Sequence, residues 1–346
     1  MVVPISIDEL RSIGESAGLH RVGVASAEPF ENARTTIESR KDAGLDAGMQ
    51  FTFRNPVRST DPRRTLPSAR SLVVGARAHV AAIPSRPPGA QGRVARYAVD
   101  DAYGALRAGL EAVAARLVVD GWQTRVLLDD NALVDRAAAH RAGLGWYGKN
   151  ANVLLPGAGS WFVLGSVLTD APLQTSPEVV PDGCGSCNRC IDGCPTAAIV
   201  APGVVDARRC LAWLVQAEGD FPDQFRAALG DRIYGCDDCQ EVCPPNRRAR
   251  RPPSDDGNAD GTWVPLVDLL QASDDELIAR HGRWYIPRRD PRYLRRNALV
   301  ALGNVGDRRD HEVAAVIERY ETGDDPMLRR HAEWAAAQLG LEKAGR

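Results

Sequence analysis

The chain has 346 residues, 44% of them hydrophobic and 25% charged, with a formal net charge of −2. That length gives two or three domains with ample material for a core, and the near-neutral balance argues against disorder and against nucleic-acid binding through overall charge. No stretch is long and apolar enough to span a bilayer, so a cytoplasmic setting is expected.

Residues 1–175 alternate helix-like and strand-like segments, the pattern of an α/β domain. Apolar spacing predicts a helix over Asp8–Ala17, strands over Val22–Ala25 and Ser71–Gly75, and a long amphipathic helix over Tyr103–Val119. Residues 80–95, rich in Pro, Gly and Ala, read as a surface loop. Gln123–Leu128 and Trp161–Leu168 read as buried strands, and Asp135–Ala142 as a helix. The run Gly143-Leu144-Gly145-Trp146-Tyr147-Gly148-Lys149-Asn150 matches GxGxxG and nearly matches a P-loop. Both motifs need a preceding strand, and Asn150 stands where a P-loop carries the Ser or Thr that reaches magnesium.

Residues 176–255 form a compact cysteine-rich module. Cys184-x-x-Cys187-x-x-Cys190-x-x-x-Cys194-Pro195 is followed by Cys236-x-x-Cys239-x-x-x-Cys243-Pro244, with Cys210 set apart between them. The bacterial two-cluster ferredoxin run has this form, its fourth cysteine ligating the other cluster. With that swap, Cys184, Cys187, Cys190 and Cys243 hold one 4Fe–4S cluster. Cys194, Cys210, Cys236 and Cys239 hold the second, and all eight cysteines are used. Disulfides need an oxidising compartment, and Met1–Ser12 shows no basic region followed by an apolar run. Structural zinc motifs use the same count but come as paired CxxC halves, without a third cysteine and a Cys-Pro ending.

Arg250–Gly261 reads as a linker. Residues 262–346 are helical with a weak repeat: Asp290-Pro291-x-x-Leu294-Arg295-Arg296-x-Ala298 recurs as Asp325-Pro326-x-Leu328-Arg329-Arg330-x-Ala332, and Leu302-Gly303 and Leu339-Gly340 close the copies. Asp-Pro starts a helix and glycine ends one, so the region reads as a HEAT-like helical cap on the cluster module. Arg283, Arg288, Arg289, Arg292, Arg295 and Arg296 face a single acid, Asp290, and are interleaved with Trp284, Tyr285 and Tyr293. A second basic run is Arg247, Arg248, Arg250 and Arg251. Guanidinium groups among aromatics suit phosphates and unstacked bases, the alternative being a solvated face in a chain with three lysines and about forty arginines.

Asp135-Arg136, then Ala142-Gly143-Leu144-Gly145-Trp146 and Gly148-Lys149-Asn150, then the cysteine module with its detached Cys210, closely resemble the epoxyqueuosine reductase family. Arg208-Arg209-Cys210, Tyr234-Gly235-Cys236-Asp237-Asp238-Cys239-Gln240, Asp61-Pro62-Arg63 and the helical C-terminal region extend the resemblance over nearly the whole chain. One departure is Asn131-Ala132-Leu133, where many members carry Gly-Pro or Gly-Glu; it touches the turn before Asp135 and not the acid.

The resemblance implies an α+β multidomain enzyme: an α/β cobalamin-binding domain, a ferredoxin-like two-cluster module and the helical cap, now read as tRNA-binding. It implies reduction of an epoxide on the cyclopentane of epoxyqueuosine, at the wobble base of tRNA, giving queuosine. By the same transfer Asp135 is the proton donor, and Arg58, Arg96, Asp135, Lys149, Asn150, Ser160, Asp170 and Gln216 contact the corrinoid. Arg288, Arg289, Arg295 and Arg296 are the expected tRNA contacts. A monomer served by a flavodoxin- or ferredoxin-type electron donor is expected. None of the six histidines follows an aspartate by two positions, consistent with a base-off cobalamin that has no histidine ligand. Losing the epoxide oxygen as water takes two electrons and two protons; two clusters pass electrons singly to cobalt, and a buried carboxyl with a raised pKa supplies a proton near neutrality. A corrinoid reductive dehalogenase usually carries a twin-arginine signal, missing here, and a plain electron-transfer module would leave residues 1–175 without a role.

Overall fold

The computed structural model describes residues 5–79, 83–176, 180–249 and 261–341. Its main sheet has four strands in the order Arg21–Ser26, Ser71–Ala78, Phe162–Thr169, Thr124–Leu128, every pair antiparallel. The expected alternation of helix and strand is there, but the parallel sheet of an α/β domain is not. The apolar runs could not show this. Leu72 and Val74 pack on one face and Val73 on the other, because helices cover both. Strands buried on two faces read as continuous apolar runs whatever their direction.

Ala102–Val119 lays Leu106, Leu110, Val113 and Leu117 on one face beside Leu10 of Ile7–Ser16. Asp101 starts the long helix by accepting from the Gly104 N–H. On the other face lie Ala138 and Ala139 of Asp135–Arg141 and Ile37 of Glu31–Asp42. The helix Asp135–Arg141 feeds a short hairpin, Trp146–Tyr147 with Val153–Leu154, so the glycine-rich run follows a helix, as a P-loop cannot.

A second sheet joins the three regions. Gln91–Val94 is its middle strand, parallel to Arg232–Tyr234 and antiparallel to Trp263–Pro265. The surface-loop expectation therefore holds for 83–90, which have no helix or strand, and fails at 91–94, where Val94 is fully buried. Each region contributes one strand, and the first region's strand lies between those of the cluster module and the cap. Most of the expected linker, 250–260, lies outside the described residues.

The cap contains the helices Arg292–Val305, His311–Glu321 and Pro326–Leu339 around Leu299, Leu302, Ile317, Ala332 and Ala335. Asp325 accepts from the Met327 and Leu328 N–H groups, and Gly340 ends its helix in the left-handed conformation, as the repeat predicts. Gly303 differs. It lies inside its helix, where a Cβ would meet Ala335 Cα at 2.8 Å, so glycine is there for close helix contact and not for termination.

Candidate active site at the cluster module

All eight cysteines are half-buried free thiols, divided by their spacing into the two sets above. Burial pushes the Cys190 thiol up, with Cys184 and Cys187 adding to it. Cys243 is pushed up to about 11 by burial first, with Cys184, Cys190 and Cys187 adding. In the other set burial raises Cys210, with Cys194 beside it, and raises Cys236 to about 12, with Asp238 and Cys210 adding. Cys239 lies well above the ordinary thiol range through burial, then Cys236 and Cys210. Thiols that hinder one another's ionisation need a shared positive centre to become thiolates, and an all-thiolate soft donor set suits an iron–sulfur cluster.

The first region is tied to this module by a line of polar contacts. Asn150 Nδ2 donates to the Cys239 carbonyl at 3.3 Å. The Ser160 N–H donates to Asn246 Oδ1 at 2.6 Å, and its hydroxyl to Gln240 at 2.9 Å. Lys149 Nζ donates to the Gly185 carbonyl at 2.8 Å and to Asn188 at 2.9 Å. The Arg96 backbone N–H donates to Asp237 at 2.8 Å, while its guanidinium lies 4.2 Å from the Trp161 ring centroid and pairs with Glu241 at 3.3 Å. Gln216 reaches the Tyr97 hydroxyl at 3.4 Å. A Cβ on Gly235, whose φ is +71°, would stand 2.4 Å from Ala95 Cβ, so the loop into Cys236 presses directly on the first region.

Of the expected corrinoid contacts, Arg96, Lys149, Asn150, Ser160 and Gln216 therefore converge on this junction. Arg58 is exposed at the end of Pro56–Ser59. Asp170 is a correction. It follows the far end of Phe162–Thr169, roughly 25 Å of strand from Ser160, and accepts from the Gln123 N–H at 2.8 Å.

Asp135 stands at the near end of the sheet. The strand Thr124–Leu128 leads into Asp129, held in the left-handed region at φ 49°, a strained conformation for a residue with a side chain. Six residues on, Asp135 opens its helix with Oδ1 buried and without a hydrogen-bond partner. Burial drives its carboxyl well above the usual range, the Asp129 charge adds to this, and Arg136 partly opposes it. Arg141 is not its counter-ion; it binds the Ser26, Glu28 and Pro29 carbonyls and stacks on Phe30. Burial also raises the Tyr103 hydroxyl, with Asp129 and Asp135 adding, and raises Tyr97, with Tyr234 adding. The charge of Arg136 also lowers the Cys210 thiol slightly against the effect of burial. Sequence reading missed Asp129, Tyr97 and Tyr103. The usable signal was an Asp-Asp pair directly after a buried strand.

The arginine-rich segment divides in two. Arg296 is fully buried and donates to the Leu214, Ala217 and Gly219 carbonyls at 3.0, 2.7 and 2.6 Å. Arg295, 9% exposed, pairs with Asp274 at 2.5 Å and donates to the Ala272 carbonyl. Both point inward from their helix and cannot meet RNA phosphates, which corrects their expected role. Arg288 and Arg289 remain at the surface in consecutive left-handed conformations, φ 53° and 54°, near the half-exposed Tyr285. Arg288 pairs with Glu218 at 2.8 Å, both side chains largely exposed.

The profile described as a 4Fe-4S double cluster binding domain matches residues 183–246, a span that holds all eight cysteines. The epoxyqueuosine reductase of Xanthomonas campestris is 35% identical over 96% of this chain and 96% of its own length. The chain belongs to the epoxyqueuosine reductase family. The Staphylococcus aureus epoxyqueuosine reductase is 32% identical over 94% of this chain and 87% of its own length. A crystal structure of a selenomethionine-labelled epoxyqueuosine reductase superposes with a TM-score of 0.88 at 29% identity, over 96% of this chain and 90% of that one. An epoxyqueuosine reductase solved with a tRNA-Tyr epoxyqueuosine-modified stem loop gives 0.83 at 27% identity, over 96% and 98%. Like its relatives, the chain is an oxidoreductase with a double iron–sulfur domain. No helix among the described residues is long and apolar enough to cross a membrane.

Proposed function

We propose that this chain reduces epoxyqueuosine to queuosine at the wobble position of tRNA, using electrons passed through two 4Fe–4S clusters to a base-off cobalamin and a proton from Asp135. The observation that carries this reading is the buried, unpartnered Oδ1 of Asp135, whose carboxyl burial pushes well above the usual range. A carboxyl kept neutral by burial is an acid usable near pH 7, and the departing epoxide oxygen is a group that needs one. A Bacillus subtilis epoxyqueuosine reductase has been solved with its catalytic aspartate loop swung out of the active site. Here the strained Asp129 begins the stretch that leads to Asp135.

Cobalamin, when bound, supplies a strongly reducing, nucleophilic cobalt. The half-buried rings of Tyr97 and Tyr103, with the Gln216 amide on the Tyr97 hydroxyl at the rim, would suit a flat macrocycle edged with amides. Gln216 and Arg58 are the side chains proposed to hold that rim. Arg96, Asn150 and Ser160 act behind it, tying the segment of Cys236 and Cys239 to the first region, while Lys149 ties down the Cys184 loop. The tRNA is met by Arg288 and Arg289, whose exposed guanidinium groups suit backbone phosphates, as the relative's complex with a modified stem loop supports.

The test is direct. Anaerobic protein with reconstituted clusters and added hydroxocobalamin is mixed with tRNA carrying epoxyqueuosine and a chemical reductant, and the nucleosides are weighed by mass spectrometry. Loss of one oxygen from the modified base is expected. Unchanged epoxyqueuosine with a corrinoid demonstrably bound would refute the substrate assignment.

A further inference from the structure

The two thiol sets have different surroundings, and the difference gives the electron path a direction. From Pro181 to Cys190 every residue is exposed or half-buried, so the set of Cys184, Cys187, Cys190 and Cys243 lies at the surface. The other set is flanked by buried Asp206, Ala207, Leu211, Tyr234 and Asp237. The sets are neighbours, since the helix Arg189–Asp192, which carries Cys190, packs against Asp238–Glu241, which carries Cys239. Among the described residues the Cys184 loop is therefore the most open approach for electrons from outside the protein.

The surface around that entry is basic. Arg189 immediately precedes Cys190, and Arg247 and Arg248 lie on Pro244–Arg248, the helix that Cys243 begins. All three side chains belong to exposed residues, and none closes an ion pair with another described residue. Lys149 adds a fourth cation on the rim, its ammonium fastened to Gly185 and Asn188 of the same loop. The acids nearby in sequence are Asp182, which caps the Cys184 N–H, Asp192, and Asp238 and Glu241, whose charges are taken up by Arg93, Arg96 and Arg232. Buried arginines elsewhere in this chain serve structural contacts; these three serve none.

We infer that Arg189, Arg247 and Arg248 form the docking face for an acidic one-electron carrier protein, which reduces the chain through the Cys184–Cys187–Cys190–Cys243 set. The inference rests on the proposed reductase reading for its purpose but not for its test. Each carrier gives up one electron and is itself oxidised; two encounters supply the two electrons that one epoxide takes up, with the oxygen leaving as water. Opposite charge steers such encounters and orients them, and the effect is screened by salt.

The probe is photoreduced flavodoxin, with cluster-loaded full-length protein and neither tRNA nor cobalamin present. Flavodoxin affinity is measured across a salt series, and cluster reduction is followed by optical bleaching. Arg189→Glu/Arg247→Glu/Arg248→Glu is expected to weaken flavodoxin binding by about tenfold or more at low salt, to slow bleaching in step, and to flatten the salt dependence. Bleaching by dithionite, iron content and tRNA affinity should stay at parental levels. Should the triple variant lose iron, Arg247→Glu/Arg248→Glu carries the same test away from the cysteine loop. Parental flavodoxin affinity in an iron-replete variant would overturn the inference. So would a loss of tRNA affinity with flavodoxin binding intact, which would give this face to RNA. Failure of the substrate assignment would leave the flavodoxin result standing.

Discussion

Arg296→Met tests whether this guanidinium fastens the cap to the cluster module. Methionine keeps an unbranched stem but donates nothing, so the Leu214, Ala217 and Gly219 carbonyls lose their partner. Leu214 is buried, and its carbonyl would stay unsatisfied at about 1–3 kcal/mol; Ala217 and Gly219 are exposed enough for water to replace much of their bonding. Burial lowers the Arg296 pKa to about 10, so removing the charge returns part of that loss. The net is a destabilisation of about 2–4 kcal/mol, or a fall in Tm of roughly 5–10 °C for the cap and cluster module. Anaerobic calorimetry on cluster-loaded protein measures it, with Arg288→Gln as control. Arg288 has only an exposed ion pair and should change stability by no more than about 0.5 kcal/mol. If Arg296→Met melts with the parent, the buried network is not what holds the cap.

Three further outcomes follow from the site. Reconstituted protein should hold about eight irons and eight sulfides, and Cys243→Ala should damage the cluster of Cys184, Cys187 and Cys190; electron paramagnetic resonance showing damage to the Cys236–Cys239 cluster instead would overturn the swap. Replacing Arg288 and Arg289 with Gln should weaken tRNA binding and flatten its salt slope by about 0.7–0.9 per lost phosphate contact; an unchanged slope would make that turn a solvated face. Because the folded pKa of Asp135 is raised, the folded state holds a proton that the unfolded chain releases, so stability falls as pH rises above ~4 towards that raised value. Asp135→Asn removes the fall, and its Tm relative to parent should improve over that range. A variant that tracks the parent at every pH would mean that Asp135 is not neutral in the folded state.

Cysteine spacing was legible because a cluster needs four thiolates from little chain, and the matched double-cluster domain spans all eight cysteines, the detached Cys210 included. The helix at Asp135 and its glycine-rich turn were legible for a similar reason, since a local motif fixes them. Strand direction was not, because Val73 and its neighbours are buried on both faces. Gln91–Val94 was hidden by its Pro- and Gly-rich approach, and its partners lie far off in sequence. The charge of Arg295 and Arg296 suggested a surface, yet both turn inward to carbonyls and Asp274 that sequence order does not place beside them. Asp170 failed in the same way: it is close to Ser160 in sequence but separated from it by the full length of a strand.

The most direct test of the whole account is an anaerobic single-turnover comparison of the parent with Asp135→Asn, both loaded with clusters and cobalamin and given tRNA carrying epoxyqueuosine. Asparagine keeps size and hydrogen bonding but has no acidic proton to give. The account predicts a rate lower by about a hundredfold or more, with corrinoid spectrum and tRNA affinity unchanged. Conversion by the variant at near the parental rate would contradict it.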